Sequence, residues 1–444
     1  MIDDLKTMLD FTESNRLRER AKHLIPAGVH TYSKGDDQFP QLSPGFIVRG
    51  KGTKVWDPDG NEFLDWGMGL RSVILGHAYE PVLAAVREQL ELGSNFVRPS
   101  PLEADVAELL VDLIPSAEMV KFAKNGSDVT TAAVKLARAF TGRDLVVRCQ
   151  DQPFYSVNDW FIGDTPVNAG VPQAIQALTK RFRYNDANHL EQVLSEYRGQ
   201  VACVILEPAA TTAPHPGFLE RVRELTQIHG VVLIFDEMIS GFRWHPQGAQ
   251  HYYGVTPDLS TFGKALANGF ALSALVGRRD LMELGGLDHD RERVFLLSTT
   301  NGGETHSLAA AKATIEAMRD GEATRRIWAT GQKLLEGFNA LSREFGLADH
   351  VRMEGLACSP YQIFLGPAGE VDLALRTLYL QETIRHGVLV PYIAISAAHS
   401  DLDVEHTLEA SRKAMPVLLE ALERGSTDGL LVGPAVKPVF RKYN

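Results

Sequence analysis

The chain has 444 residues, of which 44% are apolar and 23% charged, and its formal net charge is −11. This acidic balance argues against sequence-independent nucleic-acid binding, and the length favours two closely packed domains over a single core. Three isolated cysteines, Cys149, Cys203 and Cys358, lack paired or metal-like spacing, which predicts a reducing, cytoplasmic location. We expect no signal peptide and no membrane contact, because no apolar run has the necessary length.

In chain order, the predicted elements begin with a polar amphipathic helix over residues 1–24 and short strands over 45–66. From about residue 70 to about 320, short apolar runs alternate with helical segments, which indicates a mainly parallel sheet with helices on both faces. The predicted strands in this part are Met119–Ala123, Leu145–Cys149, Val201–Leu206, Val231–Phe235 and Leu272–Gly277. We therefore predict an α/β fold. Its large domain covers 70–320, and a smaller α+β domain is assembled from 1–69 and 321–444.

Two segments in the middle of the chain together predict a pyridoxal phosphate site. The strand at 231–235 delivers Asp236 at its carboxyl end, which is where open α/β sheets bind their ligands. Lys264 follows in a glycine-flanked apolar turn, where an easily lost proton would let it form a Schiff base with an aldehyde cofactor. Asp236 would then hold the protonated pyridine nitrogen. Either segment alone fits an ordinary strand end or a solvated lysine equally well; their order and context favour the cofactor.

A turn of small residues, Asn125-Gly126-Ser127, precedes a predicted amphipathic helix. Such a turn offers backbone N–H groups and the positive end of the helix dipole to a phosphate. On the residues alone, an ordinary helix cap by Ser127 or Asp128 is the commoner explanation. Glu207 follows another predicted strand, and for its carboxylate a local capping role and a position beside a cofactor are equally compatible with the sequence.

Eight motifs occur in the order typical of one enzyme family. They are P-A-G-V at 26–29, V-W-D-P-D-G-N at 55–61, I-L-G-H at 74–77, F-A-K-N-G-S at 122–127, L-E-P at 206–208, F-D-E-M-I-S-G-F-R at 235–243, T-F-G-K-A-L-A-N-G at 261–269 and A-A-H-S-D-L-D at 397–403. From about Leu24 to about Met415 the chain resembles the class III, fold-type I aminotransferases, in particular the glutamate-1-semialdehyde 2,1-aminomutase group. The resemblance implies pyridoxal 5'-phosphate on Lys264 and a homodimer whose active sites lie at the subunit interface.

The resemblance also implies which residues contact the cofactor phosphate. Gly126 and Ser127, together with Asn125, correspond to the family's Ser-Gly-Thr-like phosphate turn. Thr300 corresponds to the threonine that reaches the phosphate of the neighbouring subunit, with Thr299 as the alternative. Shortly after it, Glu304 replaces the Asn-Pro that the family commonly has, so the geometry of this loop is expected to differ.

Two further cofactor contacts follow from the same resemblance. Phe154 corresponds to the aromatic residue that stacks on the pyridine ring, although the family's aromatic-His-Gly is here Phe154-Tyr155-Ser156. Packing into the core is the commoner fate of such a phenylalanine. Glu207 corresponds to an acid near the cofactor that influences substrate access.

Three stretches of the expected substrate pocket depart from the aminomutase. Where the aminomutase has an arginine that grips the substrate carboxylate, this chain has Lys34, which cannot form the bidentate contact. Arg71 lies in an altered stretch before I-L-G-H, and a glutamate-containing stretch is shortened to 391–393. The polar and aromatic residues near these changes are the candidate substrate contacts, above all Tyr32, Lys34, Arg71 and Tyr155, with His30 beside them.

Since the cofactor residues persist while the pocket differs, we predict the same chemistry on another substrate. The predicted protein is an aminotransferase that moves an amino group from an amino-acid donor, such as glutamate, to a polar, for example sugar-derived, aldehyde or ketone. The alternatives are a glutamate-1-semialdehyde 2,1-aminomutase or related isomerase and, from another class, a non-catalytic binding protein of the same fold. No metal site is predicted, and His77 and His399 are expected to be structural.

Overall fold

The computed structural model describes residues 9–209 and 211–443, and the chain divides into two compact units. The terminal unit comprises Met1–Leu70, Leu75–Tyr79 and Arg326–Arg441, and the central unit comprises Arg71–Ile74, Glu80–Arg325 and Lys442–Asn444. Segments from the amino-terminal and carboxyl-terminal parts of the chain thus form one unit. The short segment Leu75–Tyr79 also belongs to it, although the predicted boundary at residue 70 assigns this segment to the large domain.

Strands and helices alternate through the central unit. The strands of the described chain are β1 Arg49–Lys51, β2 Lys54–Trp56, β3 Glu62–Asp65, β4 Met119–Ala123, β5 Leu145–Cys149, β6 Thr179–Phe182, β7 Val201–Leu206, β8 Val232–Asp236, β9 Leu259–Phe262, β10 Ser273–Gly277, β11 Val351–Glu354, β12 Tyr361–Phe364 and β13 Val388–Leu389. The helices longer than one turn are Thr12–Leu24, Glu80–Leu92, Pro101–Leu113, Gly126–Thr141, Ala187–Glu196, Phe218–His229, Gly248–Tyr253, Thr305–Met318, Glu322–Glu344, Leu373–Arg385 and Asp401–Arg424. The first eight residues of the predicted amino-terminal helix lie outside the described residues.

The central unit contains a seven-stranded sheet in the order β4-β10-β9-β8-β7-β5-β6. The five strands β9, β8, β7, β5 and β6 run parallel to one another. Strand β10 is antiparallel to both β9 and β4. Every residue of β5, β7 and β8 is buried, as expected for strands covered on both faces. The predicted fold, a mainly parallel sheet flanked by helices, is confirmed.

The terminal unit has its own sheet and core. Its four strands lie in the order β1-β2-β3-β13, and Phe63 of β3 and Leu389 of β13 pack with Phe11, Val55 and Ile384. A separate pair, β11 and β12, is antiparallel. The mixture of helices and small sheets agrees with the predicted α+β character of this unit.

The two histidines predicted to be structural make hydrogen bonds inside the terminal unit. Nε2 of His77 lies 2.9 Å from Oδ2 of Asp65. The ring of His399 stacks on Trp66 at 4.1 Å, and burial lowers its pKa to about 4. A histidine that stays neutral in such surroundings serves packing and hydrogen bonding.

Beyond the helix Asp401–Arg424, a carboxyl-terminal tail (residues 426–441) packs along the terminal unit. The backbone N–H of Lys437 donates to the carbonyl of Asp37 at 2.9 Å, and Nε2 of Gln38 donates to the carbonyl of Lys437 at 2.9 Å. Arg441 adds an ion pair with Asp37 at 2.6 Å. The tail therefore fixes the segment that follows Lys34.

Candidate active site

The carboxyl edge of the central sheet brings three ionisable groups together. Because β7 and β8 are parallel neighbours, with Leu206 opposite Phe235, Glu207 and Asp236 emerge side by side. The adjacent strand β9 leads into the turn that begins at Lys264. The charges of these three side chains act on one another. The structure thus assembles the acid and the lysine that the sequence singled out, with a second acid beside them.

Asp236 is buried, with 3% of its surface exposed. Both hydrogen bonds to its side chain within the described residues go to Oδ1, from the N–H of Met238 at 3.0 Å and the hydroxyl of Thr261 at 3.1 Å. Burial raises the pKa of Asp236 to about 6, against the opposing effect of Lys264 and these two donors. The other oxygen, Oδ2, is left to accept a proton-bearing nitrogen.

Lys264 occupies a strained position at the start of its turn. Its φ is 38°, in the left-handed region, which costs a non-glycine residue about 1–2 kcal/mol. The preceding Gly263 packs closely against Met238, whose Sδ would lie 2.6 Å from a Cβ at that position. Backbone strain of this kind is found where the surrounding structure holds a functional side chain in place.

The electrostatic surroundings make the Lys264 ammonium easy to deprotonate. Burial lowers its pKa, the charges of Arg71 and Arg243 lower it further, and Asp236 and Glu207 oppose them. A lowered pKa increases the fraction of neutral amine, which is the form that attacks a carbonyl carbon or accepts a proton.

Glu207 is as buried as Asp236 but is held differently. Its backbone N–H donates to Oε1 of Gln152 at 2.8 Å, and its carbonyl accepts from Nε2 of the same side chain at 2.7 Å. Burial, reinforced by the charge of Asp236, raises the pKa of Glu207 to about 8, and Lys264 and Arg71 act in the opposite direction. Its carboxyl group is therefore largely protonated at neutral pH.

Tyr155 is buried, and its substrate contact stays a prediction. This side chain is only 1% exposed, its ring packs edge-on against Phe161 at 5.7 Å, and its hydroxyl donates to Oε1 of Gln152. Tyr155 therefore supports the Gln152 amide that fixes the backbone of Glu207. Sequence reasoning missed Gln152, because a loop amide that bridges to a distant strand leaves no local pattern.

The predicted phosphate turn forms the start of the helix Gly126–Thr141, with Asn125 just before its first residue. The carboxylate of Asp128 accepts from the backbone N–H of Asn125 at 3.0 Å, and the Ser127 hydroxyl accepts from Val157 N–H at 3.0 Å. Within the described residues, the N–H groups of Gly126 and Ser127 donate to no partner. These two donors at the start of a sixteen-residue helix suit a phosphate group.

The remaining predicted contacts lie in two places. In the central unit, Phe154 is 44% exposed and Thr300 lies on an exposed loop, where its carbonyl accepts from Asn95 at 3.1 Å. In the terminal unit, Tyr32 and Lys34 form an exposed turn. The stacking, phosphate and substrate roles of these residues remain predictions.

Arg71, by contrast, lies close enough to Lys264 and Glu207 to shift the pKa of both. It ends a left-handed turn in which Met68, Gly69, Leu70 and Arg71 all have positive φ angles. Its carbonyl accepts a hydrogen bond from Arg243 at 3.0 Å. The structure therefore places this candidate substrate residue where its charge acts on Lys264 and Glu207.

The chain belongs to the class-III aminotransferase family, whose model matches residues 33–362. It is 30% identical over 436 residues to the glutamate-1-semialdehyde 2,1-aminomutase of Sulfurihydrogenibium azorense, covering 92% of this chain and 100% of the relative. It is 34% identical over 417 residues to the 3-aminobutyryl-CoA aminotransferase of Cloacimonas acidaminovorans, covering 92% and 97%. Among solved structures, the pyridoxal phosphate form of the FumI protein of Sphingopyxis sp. MTA144 superposes with a TM-score of 0.85 at 28% identity, covering 93% and 98%.

Pyridoxal phosphate is therefore the cofactor, as the sequence predicted, and the residues present fit it. The free N–H groups of Gly126 and Ser127, the available Oδ2 of Asp236 and the readily deprotonated Lys264 match its phosphate, ring nitrogen and aldehyde. Within residues 9–209 and 211–443, no group of His, Cys, Asp and Glu side chains is placed to hold a metal ion. No helix in these ranges combines the length and apolarity needed to cross a membrane.

Proposed function

We propose that the protein is an intermolecular aminotransferase that passes an amino group from an amino-acid donor, such as glutamate, to a polar aldehyde or ketone, for example a sugar-derived one. The observation that carries the proposal is the edge of the central sheet. There Lys264 is flanked by an acid that is ionised at neutral pH, Asp236, and by one that is largely protonated, Glu207.

Each residue has a distinct task in this proposal. When bound, pyridoxal phosphate supplies a reactive aldehyde carbon and an electron-withdrawing ring. Oδ2 of Asp236 keeps the ring nitrogen protonated, and the N–H groups of Gly126 and Ser127, beside Asn125, bind the phosphate. Nζ of Lys264 holds the aldehyde carbon at rest and, once displaced by the donor amine, removes and returns the proton of the substrate carbon.

Three further contacts complete the cofactor site in the proposal. The exposed ring of Phe154 would stack on the pyridine ring, and Glu207 would lie near the cofactor and influence substrate access. Thr300 contacts the phosphate of a second copy of the chain from its exposed loop, which makes the functional unit a homodimer. With three buried free cysteines, this dimer would work in the reducing cytoplasm.

We infer the substrate from the residues predicted to contact it, because the overall sequence similarity to known relatives does not identify it. Relatives named for different substrates have similar identities to this chain, 30% and 34%. Lys34 cannot reproduce a bidentate grip on a carboxylate, whereas Arg71, next to Lys264, can provide one from another direction. We assign the donor carboxylate to Arg71, and a hydroxyl-rich acceptor to the polar segment around Tyr32 and Lys34.

Two measurements test the catalytic assignment. Borohydride reduction of the holoenzyme followed by peptide mapping should place the cofactor on Lys264. Mixing the holoenzyme with glutamate alone should convert the cofactor to its amine form and release 2-oxoglutarate. Labelling of another lysine, or no conversion with any amino donor, would contradict the proposal. A screen of carbonyl compounds against the amine form then identifies the acceptor.

The aminomutase remains the second candidate, since the match to the aminomutase of S. azorense covers the whole of that relative. The product distinguishes the aminomutase from the aminotransferase. Turnover of glutamate-1-semialdehyde to 5-aminolevulinate that is faster than the turnover of any sugar-type carbonyl compound would establish the aminomutase. A non-catalytic binding protein would show no visible cofactor band after pyridoxal phosphate is added, and the presence of both Lys264 and Asp236 argues against it.

A further inference from the structure

A largely enclosed ion pair lies next to the phosphate turn. Lys124 immediately precedes Asn125, and its Nζ lies 2.7 Å from Oε2 of Glu304, with 16% and 23% of the two side chains exposed. The same Nζ donates to the carbonyl of Ala271 at 3.0 Å and to the hydroxyl of Ser307 at 3.1 Å. An ammonium group has three donors, so all of them are used.

Glu304 connects this pair to a second segment of the expected cofactor site. It is the residue before the helix Thr305–Met318 and closes the loop that carries Thr299 and Thr300. Its carboxylate also lies 3.6 Å from Nε2 of His306. One ion pair therefore ties the loop of Thr300 to the end of β4, where the phosphate turn begins.

We propose that the Lys124–Glu304 pair is a positioning device for the cofactor phosphate. It would fix the direction of the N–H groups of Gly126 and Ser127 and, at the same time, the loop of Thr300. This inference rests on the proposed function, in which these segments bind the phosphate. It also explains how the chain accommodates Glu304, which departs from the family's Asn-Pro at that place.

The pair acts through geometry and charge balance. Because the three donors of Lys124 are occupied, the lysine is not itself a phosphate ligand. The ammonium of Lys124 and the carboxylate of Glu304 neutralise each other and hold their two segments together. Removing one partner of an enclosed pair leaves an uncompensated charge, and this cost exceeds that of losing an exposed pair.

The test compares pyridoxal phosphate with pyridoxal, which has the same aldehyde and ring but no phosphate. Apoprotein with Lys124→Met should bind pyridoxal phosphate about tenfold more weakly, the effect of losing one charge-assisted hydrogen bond. Its affinity for pyridoxal, followed by the imine absorbance, should stay within about twofold of the wild type. Lys124→Arg, which retains the pair, should restore the affinity for pyridoxal phosphate.

Glu304→Ala tests whether Lys124 positions the phosphate turn or binds the phosphate directly. This variant also replaces Lys124→Met as the test if Lys124→Met does not fold. The phosphate turn loses its anchor in this variant, so the affinity for pyridoxal phosphate should fall, by about threefold or more. Tighter binding would mean that the released Lys124 grips the phosphate directly, and would overturn the inference.

A matched control lies on the helix Thr305–Met318, which follows Glu304. Nζ of Lys312 pairs with Asp105 at 2.9 Å, with 38% and 46% of these side chains exposed, so Lys312→Met should leave both affinities unchanged. Equal loss of pyridoxal and pyridoxal phosphate binding in Lys124→Met, or no loss of either, would overturn the positioning role. Failure of the wild-type protein to form the imine with either aldehyde would instead refute the proposed function.

Discussion

Asp236 and Glu207 follow adjacent parallel strands and are both buried, yet their carboxyl groups differ in charge. Asp236 accepts two hydrogen bonds at Oδ1, and its pKa rises only to about 6. The hydrogen bonds of Glu207 within the described residues are made by its backbone, and its pKa rises to about 8. Burial raises the pKa of both acids; the charge of Lys264 and the two hydrogen bonds limit the rise for Asp236, whereas the charge of Asp236 adds to the rise for Glu207.

This difference gives the two acids separate tasks. An ionised carboxylate stabilises a protonated ring nitrogen, whereas a protonated one can donate a hydrogen bond to a substrate or cofactor oxygen. Pairs of acids whose surroundings push their pKa values apart are a recurrent arrangement in enzymes that use acid and base groups together. Four substitutions test this difference between Asp236 and Glu207.

The largest effect is expected from Asp236→Asn, which removes the charge of the ionised member. We expect kcat to fall by about a thousandfold, because preorganised electrostatic stabilisation of the ring nitrogen is lost. Turnover with glutamate measures the effect, and an unchanged far-ultraviolet circular dichroism spectrum serves as the control for folding. A rate near that of the wild type would show that Asp236 does not have this task.

Glu207→Gln removes the protonated member and should be visible in the stability of the apoprotein. The folded pKa of Glu207 is raised, so its contribution to stability is complete below the unfolded pKa and is lost as the pH rises through about 8. Glutamine does not ionise. The variant should therefore exceed the wild type in unfolding free energy by on the order of 5 kcal/mol at about pH 9, and the gap should close toward about pH 4.

Urea unfolding at several pH values measures this gap. Glu220→Gln, at an exposed position on the helix Phe218–His229, is the matched control and should change the unfolding free energy by less than about 0.5 kcal/mol. A gap for Glu207→Gln that is constant with pH would mean that packing, and not ionisation, accounts for it.

Arg71→Met tests the cation that acts on Glu207 and Lys264. We expect the KM for the amino donor to rise about tenfold with a smaller change in kcat, because a charged contact to the donor carboxylate is lost. Arg87→Met, which removes an exposed ion pair with Glu80, is the control. Unchanged KM values for both donor and acceptor would refute the assignment of Arg71.

The smallest effect is expected from Thr261→Val, which removes one of the two hydrogen bonds that distinguish Asp236 from Glu207. The pKa of Asp236 should rise by about half a unit, because one neutral donor contributes on the order of 0.7 kcal/mol. The affinity for pyridoxal phosphate should be measured as a function of pH. The pH below which this affinity falls should be higher than in the wild type by about half a unit. A downward shift would contradict the role of the Thr261 hydroxyl.

The sequence was sufficient to predict the mainly parallel sheet, because buried parallel strands form recognisable apolar runs. It failed for β6 and β9. The first carries Lys180 and Arg181, and the second carries Ser260 and Thr261, so neither forms such a run. The surroundings of Tyr155 could not be predicted for a different reason: its hydroxyl partner, Gln152, is fixed by the backbone of Glu207, 55 residues away. The charge states at the sheet edge likewise depend on burial and on distant donors.

The division of the terminal unit has a consequence for synthesis on the ribosome. The central unit is almost complete once residue 325 has emerged, so its sheet can fold while the chain is still growing. The amino-terminal part of the terminal unit must wait for Arg326–Arg441. The contacts of Asp37 with Lys437 and Arg441 form last of all. A nascent chain that stalls before its final residues would therefore expose an unpaired amino-terminal segment to proteases and chaperones while its cofactor sheet is already folded.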